Sequence, residues 1–253
     1  MAIARPILGM ISMILLAGGI VLTFFIVLSG AHIYKTPINL VYFLQADTGS
    51  ISGGNTQYQN PARWTWLAVC GVMNGHNANC GPLHAAQSFD PVKNFGTRDG
   101  VPAQFLGTNH YYYLSRFAWA FYIMALFFAV IAFFLSIFAL CARLGAYLSG
   151  LMAMVALFFQ TLAAALMTAW TVQARNAFRT NGQSASLGKY AYGFTWATMA
   201  CYLIATILFC VGGSAGKNER YEKKSYFGRK RSTRSRGSFV DNESQHRVKD
   251  EYE

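Results

Sequence analysis

FAWAFYIMALFFAVIAFFLSIFALCA, from Phe117 to Ala142, contains no Asp, Glu, Lys, Arg or His. A charge-free run of that length exceeds the about 20 apolar residues that span some 30 Å of hydrocarbon. Three more such runs occur, Pro6 to Ala31, Leu144 to Gln173 and Ala191 to Gly216. Backbone donors and acceptors find no water in a bilayer, so runs of this kind predict helices and exclude open strands. Over the whole chain 54% of residues are hydrophobic and 12% are charged, about half the roughly 25% charge of soluble domains. The expected fold is therefore an all-α transmembrane four-helix bundle, with helices at about 7–28, 117–140, 146–172 and 191–211. The membrane domain covers 1–215, and residues 216–253 form a separate basic, disordered tail.

Ile7 to Leu28 follows Arg5 and precedes the small residues Ser29-Gly30-Ala31, which resembles a secretory signal. Its apolar run is longer than the 7 to 15 residues of a signal-peptide core, so an uncleaved first helix is expected. Between Arg143 and Gly145 the second and third helices are separated by a minimal connection, which makes them antiparallel neighbours. Residues 32–115 and 173–190 are left as loops. The longer one alternates strand-forming stretches, Ile38 to Leu44 and Trp64 to Val69, with turns at Gly49, Gly53 and Gly54. A small antiparallel sheet is the expected outcome, followed from Phe89 to Tyr113 by an irregular return to the bundle.

Eleven of the 21 Lys and Arg residues lie after residue 216. Positive charge stays cytosolic, so both termini are expected in the cytosol and both loops outside. The single sequon, Asn242-Glu-Ser244, then lies where glycosylation does not reach it. An outward loop is oxidising, so Cys70 and Cys80 are expected to form a disulfide closing a short ring, worth about 2–4 kcal/mol. His76 and His84 lie close enough in sequence to make a zinc set with the two cysteines. The oxidised pair is preferred over zinc and over free thiols, and no metal, cofactor or catalytic residue is assigned. Trp64 and Trp66 are expected to share one strand face and pack inward, and Tyr111 to Tyr113 to form an interfacial aromatic belt.

Within the bundle, helices associate through close packing of small residues and inter-helix hydrogen bonds. Gly193, Ala197, Cys201 and Ala205 recur every four residues on the last helix and predict a contact ridge. Ala156, Gln160, Ala164 and Thr168 do the same on the third, with Gln160 as inter-helix glue. No ionisable side chain lies within the four runs, which argues against ion-coupled transport.

The tail from Lys217 to Arg236 carries Lys217, Arg220, Lys223, Lys224, Arg229, Lys230, Arg231, Arg234 and Arg236 against two acidic residues, a local charge of +7. At about 1 kcal/mol per basic residue near an anionic leaflet, it suits membrane lipid, not nucleic acid. Ser232, Thr233, Ser235 and Ser238 interleave with these arginines as candidate phosphorylation sites, each phosphate adding about −1.5 to −2. Cys141 and Cys210, at the cytosolic helix ends, are candidate palmitoylation sites.

The order and placement of several motifs carry a family resemblance. Four helices, a long first loop and a Trp shortly before a paired Cys look like the claudin superfamily. Tyr42-Phe-Leu-Gln-Ala-Asp-Thr48, Arg63-Trp-Thr-Trp-Leu-Ala-Val-Cys70, Asn79-Cys80 and Tyr111-Tyr-Tyr-Leu-Ser-Arg-Phe117 more specifically resemble the fungal Sur-seven/PalI family of eisosome tetraspans. Claudins carry Gly-Leu-Trp nearer the first Cys, whereas Trp66 stands four residues before Cys70 with no Gly-Leu ahead of it. The fungal branch is the better match. The resemblance implies a non-enzymatic plasma-membrane protein that organises eisosome-type domains and supports cell-wall integrity and endocytic patterning. It also implies contacts with other membrane-domain proteins and with further copies of the chain. A PalI-like accessory role in ambient-pH sensing, and a channel or transporter, are the alternatives.

Overall fold

The computed structural model describes residues 4–33, 35–52, 60–139 and 143–214. Four helices long and apolar enough to cross a membrane form the body: α1 (Ala4–Val27), α3 (His110–Ala139), α4 (Arg143–Thr180) and α5 (Lys189–Ser214). α3 packs on α4, α4 on α5, α5 on α1 and α1 on α3, so the bundle closes on itself. A short helix, α2 (Pro91–Phe95), lies between α1 and α3 in sequence.

Two helices outrun the stretches expected of them by more than one turn. α3 begins at His110, ahead of the charge-free run, and α4 continues through Arg175 and Arg179 to Thr180. Charge ends an apolar run without ending a helix, because Arg and Gln are good helix formers. At 1.5 Å per residue the 38 residues of α4 extend about 57 Å, against about 30 Å of hydrocarbon. The surplus makes a post that rises out of the bundle and supports the loops.

Those loops fold into one cap with a five-stranded antiparallel sheet, β1 (Leu44–Ala46), β2 (Ala62–Trp64), β3 (Val69–Met73), β4 (His76–Ala78) and β5 (Ala185–Leu187), in the order β4-β3-β2-β1-β5. The expected strand over Ile38 to Leu44 is replaced by a 3-10 turn at Ile38–Leu40 after Pro37, with β1 starting only at Leu44. The expected strand over Trp64 to Val69 is broken in the middle. The Thr65 hydroxyl donates to the Ala68 carbonyl at 2.6 Å and accepts from the Ala68 N–H at 3.3 Å, closing a turn between β2 and β3. The return from Phe89 holds α2 and a 3-10 turn at Ala103–Phe105.

The second loop is a structural part of the sheet. β5 pairs with β1 in the register Leu44↔Leu187 and Ala46↔Ala185. Gln183 Nε2 donates to Ser50 Oγ at 2.6 Å and to the Gly100 carbonyl at 3.3 Å, tying the two loops together.

In the bundle, Gln160 lies buried and its Nε2 donates to the Thr195 carbonyl of α5 at 3.2 Å, beside a Tyr122–Thr195 hydroxyl pair at 2.8 Å from α3. This polar knot joins three helices. The ridge expected on α5 does not serve within the chain: Gly193 and Ala197 are exposed, Cys201 is half-buried and only Ala205 is buried. α5 instead turns Ala191, Thr195, Thr198, Tyr202 and Phe209 inward. Gly19 of α1 receives the Tyr202 ring. A large side chain seated on a glycine of its neighbour has selected a different face from the small-residue spacing.

Gly30, where α1 hands the chain to the cap, has φ +83° and faces the Thr65 side chain, whose Cβ would lie 2.9 Å from an added Cβ. Gly75 has φ +78° with open space around it. Gly30→Ala is therefore expected to cost about 2 kcal/mol or more and Gly75→Ala about 1. Thermal unfolding in detergent measures both, and equal losses would contradict the packing at Gly30.

Candidate functional site

The sheet has an inward and an outward face. Leu44, Trp64 and Val69 point to the bundle; Gln45, Arg63 and Cys70 share the opposite side as cross-strand neighbours. Cys70 on β3 is joined to Cys80, two residues past β4, by the disulfide expected from the sequence. Both thiols are consumed, which removes them as zinc ligands and as nucleophiles beside His76 and His84.

Arg63 is the polar hub of this face and is 6% exposed. Its Nε donates to Gln45 Oε1 at 2.8 Å, and Nη1 donates to the Gly75 carbonyl at 2.9 Å and to Asn77 Oδ1 at 3.1 Å. The Tyr42 ring lies 4.0 Å from the guanidinium carbon. Asn77 passes the network on, donating through Nδ2 to the Val41 carbonyl at 2.9 Å. Burial pulls the Arg63 guanidinium below its ordinary value, although a guanidinium stays charged throughout the physiological range. The charge is met by neutral acceptors and an aromatic face, and the hub fixes β1, β2 and the β3–β4 turn in one register. Asn74 and Gly75 at that turn both have positive φ, as a two-residue hairpin requires.

On the inward face Trp64 is 2% and Trp66 1% exposed. They do not share a strand, since Trp66 sits in the turn after β2, yet both point into one aromatic core. Trp66 packs on Phe43 at 4.5 Å, Tyr122 of α3 at 5.9 Å and Trp170 of α4 at 6.1 Å. Trp64 meets Phe89 at 5.1 Å and Phe178 at 5.7 Å, and its indole N–H donates to Asn94 Oδ1 at 3.0 Å. Phe43 lies in the motif Tyr42 to Thr48, whereas nothing in the sequence marks Phe89, Phe105, Trp170 and Phe178 as members of this core. Their signal is weak because an aromatic residue in a loop or helix end reads equally well as interfacial.

The remaining sequence candidates are not gathered here. Cys201 and Cys210 lie on α5 away from the cap, Cys210 on an exposed position. Cys141, the basic residues from Lys217 to Arg236 and Ser232, Thr233, Ser235 and Ser238 fall outside the described residues.

Sheet, staple and bundle together define a four-span membrane protein whose two loops on one side fold as a single disulfide-stapled cap. The chain belongs to the SUR7/PalI family, whose model matches residues 8–208. Protein SUR7 of Candida albicans is 37% identical over 198 residues, covering 78% of this chain and 71% of that protein. SUR7 family protein FMP45 of Saccharomyces cerevisiae is 35% identical over 209 residues, covering 81% of this chain and 66% of that protein. A relative in the same yeast, described as an uncharacterized plasma membrane protein, is 34% identical over 216 residues, covering 83% and 70%. The chain spans about two thirds of the length of these relatives.

Cys70→Ser and Cys80→Ser are each expected to cost the cap about 2–4 kcal/mol, with the double variant no worse than either single because all three lose the same bond. Amide hydrogen exchange in β3 and β4 reads the effect. Additive losses would show that each cysteine contributes something other than the staple.

Proposed function

We propose that this chain is a structural, non-enzymatic plasma-membrane tetraspan that organises eisosome-type membrane domains and thereby supports cell-wall integrity and endocytic patterning. The observation that carries the reading is the stapled cap on a four-span bundle in a SUR7/PalI family member. A relative described as a plasma membrane protein supports the location. A disulfide persists in oxidising surroundings, which favours a cap outside the cell and both termini in the cytosol, in keeping with the basic tail. There the tail meets anionic lipid, and phosphorylation of its serines and threonine releases it. The rigid cap offers other membrane-domain proteins a fixed surface.

Fluorescent tagging of the full chain beside a marker of the eisosome scaffold tests this. The expected result is coincident patches at the plasma membrane, and loss of patch pattern on deletion of the gene. A uniform surface signal or an endosomal signal would contradict the reading. Intact patches with loss of pH-dependent signalling would move the chain to the accessory role in pH sensing.

A further inference from the structure

Tyr112, in the first turn of α3, carries two cations over its ring. Lys93 Nζ lies 4.5 Å from the ring centroid and the guanidinium carbon of Arg116 4.8 Å from it. The two charges therefore sit closer together than the about 10 Å over which salt screens surface charge. Asp90 pairs with Lys93 at 3.1 Å, the sole ion pair found among the described residues, and Arg116 has no carboxylate in salt-bridge range there.

This juxtaposition is built. The Asp90 side chain caps α2 by accepting from the Lys93 N–H. Asn94 Oδ1 accepts from the Trp64 indole and from the Asp90 N–H. The Phe89 N–H donates to Ser115 Oγ of α3 at 2.9 Å, and the Phe89 and Tyr111 rings meet at 5.9 Å. α2 is thus fixed against the start of α3, and Lys93 is delivered to Tyr112 from a part of the cap that cannot drift away.

Depth decides the ligand. Phe117 is exposed and opens the charge-free run; because hydrocarbon excludes charge, the run places the hydrocarbon edge at that turn of α3, with Arg116 just outside it. The headgroup layer occupies the next several Å, where Arg116 and the exposed Tyr113 stand. A guanidinium and an ammonium at that level face lipid phosphates, for which their hydrogen-bond geometry and charge are suited.

We propose that Arg116, Lys93 and Tyr112 bind the phosphate of a lipid headgroup in the leaflet bordering the cap. The bound lipid touches α2 of the cap and α3 of the bundle at once, at a site whose two halves are already held together by the protein.

Native mass spectrometry of the full chain, with phosphatidylcholine, phosphatidate, diacylglycerol or inorganic phosphate added in turn, tests the site. Wild type is expected to retain one more phospholipid than Lys93→Gln/Arg116→Gln, with its bound fraction falling about tenfold in the variant. Diacylglycerol is expected to show no such difference. Both side chains are exposed, and circular dichroism checks that the variant keeps its helices. Arg116→Lys, which keeps the charge but loses the planar fork against the Tyr112 ring, is expected to bind more weakly than wild type and more strongly than the double variant. Equal retention of phospholipid by wild type and the double variant would overturn the proposal. So would diacylglycerol binding as well as phosphatidate, or binding of inorganic phosphate without lipid.

Discussion

The packing of Trp66 against Phe43, Tyr122 and Trp170 is the contact on which the rest of the structure depends. The cap's strands are three to five residues long, too short to hold a sheet together by pairing alone. An aromatic side chain buries about 150–250 Å², which at about 25 cal/mol per Å² is several kcal/mol for each ring. The core around this cluster joins the first loop through Phe43 and Trp66, the second through Ala185, and α3 and the upper part of α4, so the sheet borrows its stability from the bundle. The outward face is closed differently, by the disulfide and by the neutral acceptors around Arg63.

The spans were legible because hydrocarbon forbids charge, and a forbidden residue type is the clearest signal a sequence can carry. The disulfide was legible because two cysteines shared one loop on one side. Less could be read where packing between distant segments decides. Thr65 interrupts what looks like one strand because its hydroxyl closes a turn on Ala68. Ala185 to Leu187 become a strand only because Leu44 and Ala46 lie alongside. Gly193 and Ala197 have the spacing of a helix contact, but the large Tyr202 ring finds Gly19 and rotates α5 to another face. Of the cap's polar hub, Arg63 was singled out, while Gln45 and Asn77 were not, since they reach it from other strands.

The cap is continuous with its bundle through shared side chains. The same core that buries Trp64 also anchors α2 through Asn94, and α2 in turn sets Lys93 above the first turns of α3. Sheet, post and membrane boundary are thereby mechanically connected. Changes at the start of α3 and changes in the cap are felt by one folding unit.

Hydrogen–deuterium exchange of the full chain in lipid nanodiscs, wild type against Trp66→Ala, tests the unity of cap and bundle most directly. Loss of this ring is expected to cost about 3–5 kcal/mol. Protection should fall together in β1, β2, β3 and β5 and in the part of α4 from Trp170 to Thr180. Loss confined to the segment around residues 62–73, with β5 and the end of α4 still fully protected, would contradict the account.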